Sequence, residues 1–465
     1  MRTRMTPGRA AGRTSGGTSG GAPGKAPRRT ATLAASAAAV LTVPALAAVP
    51  AAPAAAAPGA PNPDCRTSNA IQQTMRGGGV WRMCWHTTST AGLVLEDVSF
   101  QPKGEAKPIT VLKSAKLAQI HVAYDNAVAE YEDLTEMTLG DYPEPLRGKD
   151  CPGGTLKKIP RIDDESDEPR HKMVNGLCVT TAERGFAYHG NSGDVGETAN
   201  KKDAEQGQDL VLYTVNSAGY YHYINQWNFS DDGTITPKAG ATGNLSPDDF
   251  DASDSKGWPV GKGGAKDRAV SHHHNIFWRL NFAPDGAPGR VEQYDTKHTG
   301  SKDGIPTYDT SRTKVAKEKG GDTNPKTARW WRVVSKKGKN ADGHARSWEL
   351  VHHNPRKYAG RPFTKYDVYF TQYKKNEQYA SGNNDFGQGR PAHLGKFLNG
   401  EQLGHPITWV NVGFHHIARD EDQTPMPVHW QGFSVAPRDV TAMSPLTPER
   451  LQKPRYNGKP QYPDE

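Results

Sequence analysis

Two histidines separated by a single residue are the clearest candidates for chemistry in this sequence. His272 and His274 open a run that continues through apolar residues to Leu280. On a β-strand, side chains two positions apart share a face, so these two imidazoles can reach one ion while His273 points away. Imidazole suits copper and zinc, and a pair needs a further ligand from another segment. The spacing predicts half of a metal site, although histidine triplets also occur in polar loops that bind nothing.

A second histidine pair offers the missing ligand. The segment 413–422 contains His415 and His416 and ends in an Arg-Asp-Glu-Asp run. Other histidines, such as His189, His352 and His353, offer no better spacing. This segment is therefore the candidate source of the third ligand.

An aromatic segment follows the same two-residue period. Tyr221, Tyr223 and Trp227 would share one face of a strand. Taken alone, this pattern is typical of a strand that packs into a hydrophobic core.

The segments that would position these residues have the composition of β-strands. From Gly92 onward, short runs rich in Val, Ile, Tyr, Phe and Trp alternate with clusters of Gly, Pro, Asp and Asn. Helical periodicity is scarce and no short internal repeat is present. We therefore predict an all-β fold, mainly antiparallel, built as a large β-sandwich. Polar stretches rich in Gly or Asp predict long loops at residues 163–172, 248–267 and 297–326.

The distribution of charge argues against a nucleic-acid partner. The 465-residue chain has a formal net charge of +8. Seven basic residues and no acidic residue lie in the first 57 positions, so the remaining 51 basic and 50 acidic residues nearly cancel. A nucleic-acid-binding domain would carry its basic excess in the folded part. We expect no nucleic-acid partner, and no stable membrane insertion, because no apolar run of transmembrane length follows the leader.

The N-terminal composition predicts export. Arg28 and Arg29 precede an Ala-rich apolar stretch that ends in a small-x-small pattern at residues 45–47. This order is typical of a secretory signal, and the paired arginines are similar to a twin-arginine signal. We predict an export signal at 1–47, an Ala/Pro linker at 48–63 and a folded domain at 64–465, which places the protein outside the cell or in the cell envelope.

The cysteines are consistent with an oxidising compartment. Four cysteines follow the leader: Cys65, Cys84, Cys151 and Cys178. In an exported chain an even set of four predicts two disulfides, with three possible pairings, of which sequential pairing is the simplest. The lack of CxxC pairs argues against a zinc ribbon.

Taken together, these segments resemble the catalytic domain of the copper-dependent, topaquinone-containing amine oxidases. The likeness runs from about Trp81 to Pro448, and because only a short interval precedes it, we do not expect the family's smaller N-terminal domains in this sequence. The matching motifs, in chain order, are residues 92–100, residues 117–124, Asn175 to Cys178, Tyr221 with Trp227, the Asp232-Gly233 turn, residues 240–243, His272 and His274 with Arg279, and His416 with Arg419, Glu421, Asp422, Met426 and Pro427.

The resemblance implies a chemistry for these residues. Copper(II) would be held by His272, His274 and His416, and Tyr221 would be the precursor of topaquinone. Tyr124 would hydrogen-bond the quinone oxygen, while Cys151 would pair with Cys178. The implied protein is a homodimer that uses dioxygen to oxidise primary amines to aldehydes, releasing ammonia and hydrogen peroxide.

Several positions depart from the family pattern. Tyr220 and His222 flank Tyr221, where the family has an asparagine and an acidic residue. Counting without gaps from Tyr124 places Thr138 at the position of the family's Asp base. A hydroxyl is too weak an acid to replace a carboxylate near neutral pH.

Nearby carboxylates could supply the base instead. Glu136 and Asp141 are the first candidates, and Asp133 is an alternative. A peripheral calcium site of the family falls on residues 281–283, Asn-Phe-Ala, and is expected to be lost.

Two interpretations of function therefore stay open. The first is an exported copper and topaquinone amine oxidase. The second is a copper-binding, catalytically impaired relative that lacks the usual base. A secreted carbohydrate-binding sandwich would leave the ordered histidine motifs unexplained.

Overall fold

The computed structural model describes residue 65 and residues 69–163, 170–191, 202–245, 257–260, 268–353, 360–383, 392–422 and 424–448. The predicted export signal at 1–47 and the predicted linker at 48–63 lie outside the described residues, as does most of the predicted loop at 248–267. Within the described part of the chain, we find no helix with the length and apolar character needed to cross a membrane.

Almost all of the regular structure is β-strand. In chain order the described strands are β1 (Ala70–Thr74), β2 (Val80–Thr88), β3 (Gly92–Gln101), β4 (Ile109–Tyr124), β5 (Glu130–Glu132), β6 (Thr155–Asp163), β7 (Arg170–Asn191), β8 (Lys202–Ala218), β9 (Tyr221–Ser230), β10 (Ile235–Gly243), β11 (Trp258–Pro259), β12 (Arg268–Ala269), β13 (His272–Phe282), β14 (Arg290–Lys302), β15 (Ile305–Val315), β16 (Lys319–Gly321), β17 (Trp330–Lys339), β18 (Ala345–His352), β19 (Val368–Gln372), β20 (Pro406–His416) and β21 (Met426–Arg438). One short α-helix, α1 (Leu394–Phe397), and 3₁₀ turns at Leu139–Asp141, Gly148–Asp150, Pro284–Gly286 and Pro362–Thr364 accompany them.

Two large antiparallel sheets form the sandwich. The first has nine strands in the order β1-β2-β3-β4-β13-β20-β19-β16, with β5 paired to β4. The second has ten strands in the order β15-β14-β17-β18-β21-β10-β9-β8-β7-β6. The predicted all-β, antiparallel sandwich is confirmed.

Large aromatic side chains join the two sheets. Trp81 of the first sheet lies edge-on to Phe229 of the second, with ring centroids 5.1 Å apart. Trp278 and Phe433 make a similar contact across the sheets at 5.4 Å. Buried aromatic residues contribute large apolar areas and prefer such edge contacts. Trp227 of β9 is also fully buried, so the strand that carries Tyr221 is fixed against the core.

The segment 297–326 contains strands, and its prediction as a long loop is wrong. β14 and β15 pair along their whole length as a hairpin, and β16 follows. β15 is exposed along most of its length and β14 mainly in its second half, so the hairpin lacks the apolar alternation that identifies a half-buried strand. Cross-strand hydroxyl contacts, such as Thr296 to Thr310 at 2.9 Å, support the pairing instead.

Both predicted disulfides are present. Cys65 pairs with Cys84 and Cys151 with Cys178, which confirms sequential pairing and the pairing implied by the resemblance. The second bridge spans 27 residues, a loop whose closure in the unfolded chain is worth about 3 kcal/mol in the chain-entropy model.

Candidate metal centre

Two paired strands of the first sheet, β13 and β20, carry the histidine pairs, and β4 pairs with β13 on its other side. His272 on β13 is the register partner of His416 on β20 and, on the other side, of Tyr124 at the end of β4. Because strand side chains alternate, His272, His274 and His416 all point into the sandwich. They are 0%, 1% and 2% exposed, respectively.

The three inward imidazoles form a compact ligand set. Their candidate ligand nitrogens all lie within 4.8 Å of one another. Nε2 of His272 and Nδ1 of His416 are 3.3 Å apart. Nε2 of His274 is buried and, among the described residues, has no hydrogen-bond partner. A buried nitrogen left without a partner is costly in a folded protein, and a metal ion at this point would satisfy it.

The protonation of these imidazoles suits a metal. Burial, reinforced by the neighbouring histidines, lowers the pKa of His416 to about 4. The same causes hold the pKa of His274 well below its usual range. Both rings are therefore neutral at physiological pH, which is the form that binds metals. Three imidazole ligands fit copper or zinc.

Tyr221 reaches the same point from the opposite sheet. Its phenol oxygen lies 2.9 Å from Nε2 of His272 and 3.0 Å from Nδ1 of His416. The side chain is 6% exposed. Gly243, the register partner of Tyr221 on β10, has a φ of +106°, and a Cβ there would lie 2.6 Å from the Tyr220 carbonyl oxygen. Glycine thus allows the close backbone approach that fixes Tyr221.

A buried carboxylate orients the third histidine. Oδ2 of Asp422 lies 2.9 Å from Nε2 of His416, which leaves Nδ1 of that ring facing the centre. The same oxygen accepts a hydrogen bond from the backbone N–H of Arg419, and Oδ1 lies 3.2 Å from Nε2 of His429. Carboxylates of this kind fix the tautomer and direction of ligating histidines.

Asp422→Ala is therefore expected to weaken metal binding without removing a ligand. Loss of such an outer partner typically costs about 10- to 100-fold in metal affinity. Competition with a chelator of known copper affinity measures the change. Glu421→Ala, which removes an exposed carboxylate one position earlier, is the matched control and should bind copper as the wild type does. Equal affinity in the two variants would contradict the orienting role of Asp422.

A cavity of about 190 Å³ lies beside Tyr221. Its walls are mainly aromatic and apolar, and the lining residues are Val122, Tyr124, Tyr131, Asp133, Met137, Ala218, Gly219, Tyr220, Tyr221 and Tyr223. The ring of Tyr124 stacks on His272 with centroids 4.8 Å apart. The cavity thus gives a small molecule access to Tyr221, and Tyr124 lies between the cavity and His272.

Asp133 is the one carboxylate among the described residues that line this cavity. It is 4% exposed, and burial raises the pKa of its carboxyl group to about 7, although a hydrogen bond with Tyr223 opposes the shift. A carboxyl group that titrates near neutral pH is suited to take up and release a proton.

Tyr223 connects this carboxylate to the histidine cluster. Its ring stacks on Tyr221 at 5.8 Å, and its phenol oxygen lies 3.3 Å from Nδ1 of His274. If Nε2 of His274 binds a metal, Nδ1 carries the ring proton and donates it to the Tyr223 oxygen. The O–H of Tyr223 is then free to donate to Asp133, and its pKa, raised by burial and by Asp133, keeps it protonated.

The structure places the other predicted base candidates elsewhere. Glu136 is exposed, and its carboxylate accepts a hydrogen bond from the backbone N–H of Glu132. Asp141 lies 3.8 Å from Nε2 of His171. Thr138 has a left-handed backbone, with φ of 47°, before the turn at residues 139–141. None of these three lines the cavity, so the geometry favours Asp133 over Glu136 or Asp141.

The position of Asp133 depends on the short strand β5, which has no recognisable pattern in the sequence. β5 pairs back onto β4, with Tyr131 opposite Val122. The backbone N–H of Asp133 then donates to the carbonyl of Ile120, which holds the residue against β4. Counting residues without gaps from Tyr124 does not account for this return of the chain. That count therefore places the base at Thr138 and not at Asp133. His429 was missed for another reason: it reaches Asp422 from β21, and no sequence spacing relates the two.

The other positions that differ from the family pattern lie in different parts of the structure. Tyr220 is 50% exposed and lies at the edge of the cavity, whereas His222 is not among its lining residues. Oδ1 of Asn281 lies 2.8 Å from Nε2 of His405. The loss of the calcium site near Asn281 stays a prediction.

The fold and the buried cluster define a class of proteins, and comparison with known families identifies it. The chain belongs to the copper amine oxidase family: the sequence pattern of the copper amine oxidase enzyme domain matches residues 79–450.

Known relatives agree with this assignment. The chain is 27% identical to histamine oxidase of Arthrobacter globiformis over 377 residues, which covers 74% of this chain and 53% of that protein. It is 24% identical to a primary amine oxidase of Pisum sativum, covering 77% of this chain and 56% of that protein. The chain thus spans about half the length of these relatives. A copper-containing benzylamine oxidase from Hansenula polymorpha has a similar fold, with a TM-score of 0.68, 21% identity, and coverage of 84% of this chain and 64% of that structure.

Proposed function

We propose that the protein is an exported copper and topaquinone amine oxidase that oxidises small primary amines to aldehydes, with release of ammonia and hydrogen peroxide. The observation that carries this proposal is the meeting of the Tyr221 phenol oxygen with His272 and His416 at hydrogen-bond distance. A tyrosine held on a histidine metal cluster is the arrangement that quinone formation from that tyrosine requires. The family supplies the reaction class.

Copper would be held by Nε2 of His272, Nε2 of His274 and Nδ1 of His416. When present, copper and the quinone supply the redox chemistry that transfers two electrons from the amine to dioxygen. The protein's own contribution is to bind the amine, to exclude water and to move its proton.

Asp133 is the proposed base. A carboxylate oxygen of Asp133 accepts a proton from the α-carbon of the substrate, which lies in the cavity between Asp133 and position 221. General base catalysis of this kind works best when the pKa of the base is near the operating pH, and the pKa of Asp133 is about 7. With Thr138 at the family's usual base position, the base is then supplied by Asp133 and is not absent.

Tyr223 and Tyr124 would hold the reacting groups in place. Tyr223 donates a hydrogen bond to Asp133 and keeps that carboxylate beside the ring at position 221. Tyr124 is fixed by its stacking on His272 and lines the same cavity, where it can hold a quinone oxygen. Both side chains restrict motion around the site, which lowers the entropic part of the barrier.

The cavity supports a small substrate. Its volume of about 190 Å³ is below the roughly 300–1,000 Å³ typical of sites for drug-sized ligands. Its mainly aromatic and apolar walls suit the hydrocarbon part of an amine, and Asp133 can attract the amino group. We therefore propose a short aliphatic or single-ring primary amine.

Export and a homodimer are also part of the proposal. The two disulfides are consistent with an oxidising compartment. The exposed hairpin β14–β15 carries Ile305 and Tyr308 at 69% and 64% exposure, a surface that a second subunit could cover.

The direct test is to load the purified protein with copper in air and add phenylhydrazine. A processed cofactor should give a coloured adduct, and a panel of small primary amines should cause peroxide release. The second interpretation, a copper-binding protein without turnover, predicts the adduct without peroxide. Absence of both from a sample with bound copper would overturn the proposed function.

A further inference from the structure

A second cluster of metal-ligating residues lies on the outer face of the same three strands. Asp125, His273 and His415 offer ligand atoms that all lie within 4.8 Å of one another. We call these three residues the outer cluster. The alternation that sends His272 and His416 inward sends His273 and His415 outward, so the two clusters lie back to back across the sheet.

The outer cluster has close internal geometry. Oδ2 of Asp125 lies 2.7 Å from Nε2 of His415, and Oδ1 lies 3.4 Å from Nδ1 of His273. The two imidazole rings stack with centroids 4.0 Å apart and 4° between their planes. The carboxylate of Asp125 therefore lies close to one nitrogen of each imidazole ring.

The backbone holds these side chains in place. His273 and His415 are register partners on β13 and β20. Asp125 follows β4 directly, and its backbone N–H donates to the carbonyl of Ser271. A site built on paired strands keeps its ligands positioned before an ion arrives, which reduces the ordering cost of binding.

We propose that the outer cluster binds a second divalent transition-metal ion, Zn²⁺ or Cu²⁺, with its remaining positions open to water. Two imidazoles and one carboxylate are a donor set that such ions favour over Ca²⁺ or Mg²⁺, which take oxygen ligands. The side chains of His273, His415 and Asp125 are 22%, 30% and 36% exposed, so an ion can reach them from solvent. The usual affinity order places Cu²⁺ above Zn²⁺ at the same ligands.

Metal stoichiometry tests this proposal. The full-length protein is stripped with a chelator and titrated separately with Zn²⁺ and Cu²⁺, with bound metal measured by calorimetry and elemental analysis. The wild type is expected to bind two equivalents of Cu²⁺. Asp125→Ala and His415→Ala should each lose one equivalent. His298→Ala, which removes a histidine outside the outer cluster, is the matched control and should keep two.

A further variant distinguishes metal binding at the inner site from metal binding at the outer cluster. His274→Ala should lose the inner equivalent and keep the outer one, so failure of the proposed copper centre and failure of the outer site give different results. Electron paramagnetic resonance of the Cu²⁺-loaded wild type should show two signals, of which Asp125→Ala loses one. A single wild-type equivalent that His274→Ala loses and Asp125→Ala keeps, or two equivalents retained by both Asp125→Ala and His415→Ala, would overturn the proposal. Asp125 lies outside β13 and β20, so its variant stays informative if His415→Ala disturbs the fold.

Discussion

Tyr221→Phe is expected to abolish both the phenylhydrazine adduct and peroxide release while leaving copper bound. The substitution removes the phenol oxygen that meets His272 and His416, and it leaves the three imidazoles in place. Without that oxygen the ring cannot be converted to a quinone. Activity should fall to the background of the assay, and copper analysis should still find the inner site filled.

Tyr223→Phe is the matched control for this result. It removes a phenol oxygen two positions along the same face of β9, from a ring that stacks on Tyr221. The adduct should still form in Tyr223→Phe, because the precursor is intact, but turnover should slow because Asp133 loses its hydrogen bond. An adduct that persists in Tyr221→Phe would place the cofactor at another residue.

Much of the metal centre could be predicted from local spacing. The two-residue period of β-strands relates His272 to His274 and excludes His273 from their face, and the structure has that arrangement. The choice of His416 over His415 depended on the family motif. The register of β13 with β20 explains it physically, because His416 lies opposite His272 and shares its inward direction.

The proposed base, Asp133, could not be located in the same way. Its position depends on β5, a strand of three residues whose pairing with β4 is a tertiary contact. Short strands of mixed polarity carry little local signal, and a count without gaps fails wherever the chain makes an additional return. The hairpin β14–β15 was missed for a related reason, since most of β15 and the second half of β14 are exposed and have no apolar period.

The alternation of side-chain directions along β13 and β20 places the inner cluster on one face of the sheet and the outer cluster on the other. Each strand that sends one histidine inward must present the next residue outward, so a strand pair with adjacent histidines creates two clusters. The inner cluster is buried and meets Tyr221, whereas the outer cluster, which includes Asp125, is partly exposed to solvent. The two sites therefore differ in access although they share a backbone.

Asp133→Asn is expected to lower kcat/KM by about 10²- to 10⁴-fold, the usual contribution of a positioned general base. The amide has nearly the same shape but cannot accept the substrate proton. Copper content and the phenylhydrazine adduct should be preserved, because Asp133 belongs neither to the histidine cluster nor to the precursor. With an α-deuterated amine, the isotope effect should increase, since C–H cleavage then limits the rate.

The pH profile supplies an independent check on the identity of the base. A base must be ionised to act, and the raised pKa means that Asp133 is protonated below about pH 7. Wild-type kcat/KM should therefore fall about tenfold per pH unit below that value, and Asp133→Asn should lose this limb. Glu136→Gln, which changes an exposed carboxylate three positions away, should keep both rate and profile. A loss of activity in Glu136→Gln with normal turnover in Asp133→Asn would reassign the base to Glu136.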